Sequence, residues 1–239
     1  MVVFENSRIK ILARAGPIVA RLPADKPVMV EVGVYRGQMA EHLLDRRTDL
    51  RWIGVDNWIG VEKQPKAYID TGDAHAIMTQ LEQDECYQVA RYKLARFGDR
   101  ATIIRDTSSN AAYRFKGAPL RGYERLEQAI EAMFYVVHRR AQRPAPRNQK
   151  HASSGSDIDL CFLDARHDEE GVFSDCLAWW PAIKPGGYLG GHDFSPRSTP
   201  PRFGVNLAVE KFSAKIDVPY ELDDGTDWFI RKPMQLWDR

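Results

Sequence analysis

Apolar positions along this chain follow two rhythms that take turns. Short, nearly continuous apolar runs stand at Val28-Met29-Val30-Glu31-Val32-Gly33-Val34, Trp52-Ile53-Gly54-Val55, Ala101-Thr102-Ile103-Ile104-Arg105, Ile158 to Leu163, Tyr188 to Gly191 and Trp228-Phe229-Ile230. Runs of this length, rich in β-branched residues, predict strands covered on both faces. Between them the spacing turns helical, over residues 5–21 (with a break near Gly16-Pro17), 38–46, 74–97, 171–183 and 205–216. In the fourth of these, Val172, Phe173, Cys176, Leu177 and Trp180 form a stripe facing the sheet, with Trp179 one position off it, at an edge or a subunit interface. Lys184-Pro185-Gly186-Gly187 reads as a tight turn into the following strand. Strand and helix in alternation predict an α/β fold with a doubly wound, mostly parallel sheet.

One segment interrupts the alternation. Residues 116–156 separate the third and fourth strands, where a short connection is usual. Tyr123 to Val137 is helix-like, 139–150 is basic without an acid, and Ser153-Ser154-Gly155-Ser156 closes the stretch. A solvated, flexible loop and a mobile lid or basic arm are both open readings. The rest reads as one domain over 1–239, with an N-terminal helical segment in 1–27.

Composition narrows the class. The chain has 239 residues, and 34 Lys and Arg against 33 Asp and Glu leave a formal charge of +1, so no global field steers it to nucleic acid or membranes. Cys86, Cys161 and Cys176 form no CxxC and are expected reduced in the core. Met1-Val2-Val3-Phe4 is followed by Glu5, without a signal-peptide core, and no run approaches the roughly 20 apolar residues of a membrane span. The expectation is a cytoplasmic protein.

The candidate chemistry lies at the strand ends, where open α/β sheets bind ligands. Asp164, His167, His192 and Asp193 should converge there. Glu31-Val32-Gly33-Val34-Tyr35-Arg36-Gly37 closes the first strand with a GxxxG spacing, not the GxGxxG that turns around a pyrophosphate. Asp56 ends the second strand, where a carboxylate can accept both hydroxyls of a ribose. A nucleoside ligand without pyrophosphate fits this pair, and S-adenosylmethionine is such a ligand.

Glu31 to Gly37, Gly54-Val55-Asp56-Asn57-Trp58, Ile104-Arg105-Asp106-Thr107-Ser108, Leu163-Asp164-Ala165-Arg166-His167, Lys184 to Gly187 and Gly191-His192-Asp193 stand in the order of class I S-adenosylmethionine-dependent methyltransferases. The chain most resembles methyltransferase domain family 24, related to the macrocin and catechol O-methyltransferases. The resemblance implies a seven-stranded Rossmann-like sheet with a helical and loop insertion before strand four. It also implies Glu31, Gly33, Tyr35 and Gly37 around the methionine part of the cofactor, with Asp56 on the ribose and Trp58 by the adenosine. Asp106, Thr107 and Ser108 would lie by the adenine, Asp106 either bonding the adenine amino group or capping the next helix.

Related O-methyltransferases hold a divalent cation at positions matching Asp164, His192 and Asp193. His192 stands where relatives carry a carboxylate, which leaves Mg²⁺, Mn²⁺ and other cations open. His167 falls where relatives place a general base; the competing reading is that it caps the helix after it while Asp164 serves the cofactor alone. The implied activity is O-methylation of a small molecule or sugar by a protein able to self-associate. The alternatives are a nucleic-acid or nucleotide methyltransferase and a non-catalytic cofactor-binding protein.

Overall fold

The structure is a computed structural model and describes residues 14–115, 158–195, 202–223 and 226–234. Seven strands form one sheet: β1 (Val28–Val32), β2 (Arg51–Asp56), β3 (Ala101–Arg105), β4 (Ile158–Leu163), β5 (Ile183–Gly191), β6 (Tyr220–Leu222) and β7 (Trp228–Arg231), in the order β3-β2-β1-β4-β5-β7-β6. β1 through β5 pair in parallel, while β7 pairs antiparallel with β5 and β6. The helices are α1 (14–21), α2 (Gln38–Arg46), α3 (Lys66–Ile69), α4 (Gln80–Leu94), α5 (Ser108–Phe115), α6 (Glu169–Trp179) and α7 (Val205–Ile216).

The sheet is doubly wound because its strands are apolar on both faces. In β4, Ile158, Cys161 and Leu163 enter the core shared with α5, α6 and α7, while Leu160 and Phe162 enter the core shared with α1, α2 and α4. From Leu160 onward a period of two sends neighbours to opposite faces, so the apolar run serves two helical layers; Ile158 falls out of that alternation where the register against β5 shifts.

Several expectations need correction. Within the described residues, helix α1 continues through Gly16-Pro17, anchored by the fully buried Ala15 and Ile18. The expected helix over 74–97 is a 3₁₀ turn (Ala74–Ile77), then α4, then a second 3₁₀ stretch (Ala95–Arg100). Thr79 starts α4 afresh through a capping box with Glu82. Lys184 to Gly187 is no turn: it lies inside β5, where the register against β4 shifts and Gly186 has φ +79°. Trp179 is fully buried and Trp180 half-buried, the reverse of the predicted stripe, so Trp179 is not available to a subunit contact. Its indole Nε1 donates to Ser108 Oγ at 2.9 Å.

β1 and β4 are neighbours although the chain visits β2 and β3 between them, and at this switch point the two strand ends nearly touch. Gly33 N donates to Val55 O at 2.9 Å and Asp164 N donates to Val32 O at 2.8 Å. Gly33 has φ +94°, and a Cβ there would lie 2.1 Å from the Asp164 carbonyl oxygen. Gly72 has φ +79° with nothing within 4 Å of its would-be Cβ. Gly33→Ala should therefore cost about 3 kcal/mol or more, from clash and left-handed strain together. Gly72→Ala should cost about 1 kcal/mol from strain alone. Urea midpoints of the two variants check this; equal losses would contradict the packing at the switch point.

Candidate active site

A single cleft of about 820 Å³ runs along the carboxyl ends of β1 to β4 and reaches Asp193 just after β5. That is the size range of small-molecule sites. Its first half is built by the turn after β1. Tyr35 has φ +52° and Gly37 φ +71°, and Gly37 sits at the start of α2. Asp56, at the end of β2, braces this turn: its Oδ2 accepts from Val34 N (2.9 Å) and Tyr35 N (3.0 Å), and its Oδ1 from Trp58 N (2.9 Å). Val34, Tyr35, Asp56, Thr107 and Ser108 line the cleft.

Three of the expected cofactor residues do structural work. Trp58 lies fully buried behind the wall, its Nε1 donating to Tyr35 O at 2.9 Å and its ring 4.8 Å from that of Tyr87. Asp106 lines the cleft but accepts from Thr107 N (2.8 Å) and Asn110 Nδ2 (2.9 Å) and pairs with Arg114, so its side chain ties down the first turns of α5. Glu31 lines the cleft while 2% exposed, accepting from Trp52 Nε1 at 2.8 Å. Burial pushes its carboxyl up from 4.5 to about 8, against that hydrogen bond.

The second half gathers acids around one imidazole. Asp168, not His167, caps α6, its Oδ2 accepting from Gly171 N at 3.0 Å. His167 turns inward instead, with Nδ1 2.5 Å from Asp73 Oδ2 and Phe203 tilted over its ring at 4.5 Å. Its Nε2 lies 3.2 Å from Asp193 Oδ2 and 3.5 Å from Asp164 Oδ1. Asp164 also takes Arg14 of α1 at 2.6 Å. Burial alone would lower the imidazole, but Asp164 and Asp73 raise it to about 10. Burial likewise works against the Asp164 carboxylate, yet His167 and Arg14 hold it down at about 2.

His192 stands apart from this group. Its Nε2 meets Thr226 Oγ1 at 2.9 Å and Asp227 Oδ1 at 3.7 Å, and its Nδ1 lies 3.0 Å from Asp193 Oδ1. The three residues whose ligand atoms all come within 4.8 Å of one another are Asp164, His167 and Asp193. Arg166 lines the cleft and donates to both oxygens of Asp168 at 2.8 and 2.6 Å.

Sequence reasoning missed Asp73, Tyr68 and His75. Asp73 is 5% exposed and accepts from Tyr68 Oη (2.9 Å), His75 N (2.9 Å) and His167, with His75 Nδ1 at 3.2 Å. Burial opposes its charge, but His167 and His75 hold its carboxyl well below the usual range. A faint signal existed in Asp73-Ala74-His75, an acid starting a short helical turn with an imidazole two places on. The expected helix over Tyr123 to Val137 and the basic stretch 139–150 lie outside the described residues.

A family model described as a methyltransferase domain, number 24 in its series, matches residues 30–194. The chain belongs to this family. It is a class I S-adenosylmethionine-dependent methyltransferase, as the ordered motifs implied. No curated protein matches the sequence. Among solved structures, a methyltransferase from Pyrococcus furiosus is 11% identical with a TM-score of 0.51, over 94% of this chain and 83% of that one. The S-adenosylmethionine-dependent methyltransferase SibL, in its apo form, is 12% identical with a TM-score of 0.51, over 95% and 55%. The O-methyltransferase from Bacillus cereus, in complex with SAH, is 15% identical with a TM-score of 0.45, over 93% and 87%. These likenesses are likenesses of fold. Among the described residues no helix is long and apolar enough to cross a membrane.

Glu31 offers a test through pH. Unfolded, it ionises near 4.5; folded, it keeps its proton to about 8. Its contribution to stability is therefore whole below 4.5 and fades as pH climbs through 8. Glu31→Gln keeps an acceptor for Trp52 and cannot ionise. From about pH 5 to about pH 8 the thermal midpoint of the wild type should fall relative to that of the variant, the gap levelling off above that. Parallel curves would mean that Glu31 is already ionised in the fold.

Proposed function

We propose that the protein methylates a hydroxyl oxygen of a small molecule or sugar, with S-adenosylmethionine as donor. One observation carries this reading: the turn braced by Asp56 and the acid–imidazole cluster of Asp164, His167 and Asp193 are the two ends of one cleft. The donor lies in the first half, its ribose toward Asp56 and its methionine part along Gly33, Tyr35 and Glu31, whose carboxyl can meet the cofactor's ammonium group. Glu31, Gly33, Tyr35 and Asp56 all line that half of the cleft, which supports this placement.

The acceptor enters beside Phe203, with its hydroxyl toward the cluster. Methyl transfer needs that oxygen in line with the sulfonium and relieved of its proton. Asp73 fixes the proton on His167 Nδ1, which leaves Nε2 as the ring atom that meets the acceptor's end of the cleft. Asp164 and Asp193 supply negative charge on either side of Nε2, and Arg14 keeps Asp164 from drawing fully on the imidazole. The paired carboxylates and the imidazole suit a divalent cation, which when bound would lower the pKa of a hydroxyl on it. The three free, buried cysteines fit the reducing cytoplasm expected from the sequence.

His167→Ala should leave S-adenosylmethionine and S-adenosylhomocysteine binding by calorimetry unchanged within about twofold. It should cut turnover of a hydroxylated acceptor by about 10²–10⁴-fold. Folded wild-type protein that binds neither ligand would overturn the proposal; a fully active variant would remove His167 from the chemistry.

A further inference from the structure

His167 Nε2 is in an unusual position for a histidine in a folded protein. The side chain is 9% exposed, and Nε2 is buried with no hydrogen-bond partner. Asp193 Oδ2 at 3.2 Å and Asp164 Oδ1 at 3.5 Å face it without aligned hydrogen-bond geometry. A buried polar atom left unpaired is costly, and natural folds keep such atoms where something else fills the coordination. The other ring nitrogen is committed to Asp73 Oδ2 at 2.5 Å. Ligating histidines are held in this way, with the far N–H given to a carboxylate, which fixes tautomer and ring plane and makes the free nitrogen a better donor.

Two further observations point the same way. Asp193 reaches the group from a left-handed backbone, φ +62°, which a non-glycine residue adopts at a cost. Asp164 has one oxygen taken by Arg14 and presents the other, Oδ1, to the same spot as Nε2. Three carboxylates (Asp73, Asp164 and Asp193) surround one imidazole, so the cluster keeps surplus negative charge even when that ring carries two protons. His192 Nδ1 is also buried without a hydrogen-bond partner, 3.0 Å from Asp193 Oδ1, but Thr226 holds its Nε2 at 2.9 Å, and the ligand atoms that all come within 4.8 Å of one another are those of Asp164, His167 and Asp193.

We infer that His167 is a metal ligand: Nε2 joins Asp164 Oδ1 and Asp193 Oδ2 in holding a divalent transition cation of the Mn²⁺ type, and Asp73 is the residue that positions the ring. The inference deepens the methyl-transfer reading and rests on it for the cation's task, which is to orient and acidify the acceptor hydroxyl. It replaces the cation on Asp164, His192 and Asp193 expected from the resemblance, and it moves His167 from free base to ligand. The donor chemistry sets the choice of ion. Mg²⁺ demands oxygen ligands and sheds its waters reluctantly, whereas an imidazole with two carboxylates suits Mn²⁺, Fe²⁺ or Zn²⁺.

The test uses the full chain, stripped with a chelator and titrated with Mn²⁺ while the electron paramagnetic resonance of free Mn²⁺ is followed. One Mn²⁺ should bind, displaced by Mg²⁺ only at about 100-fold excess or more. Electron spin-echo modulation of the bound ion should carry the ¹⁴N signature of a coordinated imidazole. That signature should vanish in His167→Ala, with affinity at least about tenfold weaker, and persist in His192→Ala. Asp73→Asn should keep it while weakening Mn²⁺ by about 10–100-fold. No Mn²⁺ uptake, bound Mn²⁺ without nitrogen modulation in the wild type, or modulation lost with His192 would each overturn the inference. Where His167→Ala fails to fold, His192→Ala decides: modulation kept in that variant supports ligation by His167, and modulation lost overturns it. Calorimetry with S-adenosylhomocysteine on the same preparation separates the two claims. Cofactor binding without Mn²⁺ uptake overturns the metal site alone. Mn²⁺ uptake without cofactor binding overturns the methyl-transfer reading and leaves the site standing.

Discussion

The hydrogen bond between Asp73 and His167 is the contact on which the arrangement of the site depends. Asp73 belongs to the segment between β2 and α4, His167 to the exit from β4, and the bond between them crosses 94 positions of sequence. An ionised carboxylate this deep is tolerable only when its lone pairs are used. Tyr68, His75 and His167 use them. The satisfied network sets the plane of the His167 ring, and that plane decides what Nε2 faces. Once the ring is set, Asp164 and Asp193 form its surroundings because parallel strands β4 and β5 end side by side.

The Asp56 end of the cleft obeys a different constraint, one of backbone geometry. β1 and β4 run so close at the switch point that Gly33 can carry no side chain. The chain therefore turns away from the sheet there, and Asp56 from the neighbouring strand collects the amides that the turn exposes. That bracing keeps a floor of bare backbone along the cleft. The two halves meet at Asp164, whose carbonyl presses on Gly33 while its carboxylate joins His167. The two halves of the cleft are thus linked through a single residue.

Much of the fold was legible because its strands are buried on both faces, and such strands announce themselves as apolar runs. The exceptions have physical causes. Tyr220–Leu222 is a three-residue edge strand, half-buried to exposed, too short and too polar to carry a pattern. Lys184 to Gly187 carries a turn signature, yet the glycines serve an irregular start of β5, where a Cβ at Gly187 would lie 2.7 Å from the Asp159 carbonyl. Trp179 rather than Trp180 is buried because it continues the Val172, Cys176 spacing to i+3, on the one stripe of α6 that is fully covered. At the site, the residues at strand ends could be named from motifs. Asp73 could not, since its role is a contact across the fold made from a segment without periodicity. For the same reason the sequence could list His167 and His192 as candidates but could not say which ring faces Asp164.

The central claim is that one cleft holds the cofactor at the Asp56 end and its sulfur at the Asp164–His167–Asp193 end. A crystal structure of the protein with S-adenosylhomocysteine tests it most directly. The account predicts ribose density at Asp56, adenine density beside Thr107 and Ser108, and the sulfur turned toward the His167 side of the cleft. Cofactor density in the reverse direction, or outside this cleft, would contradict it.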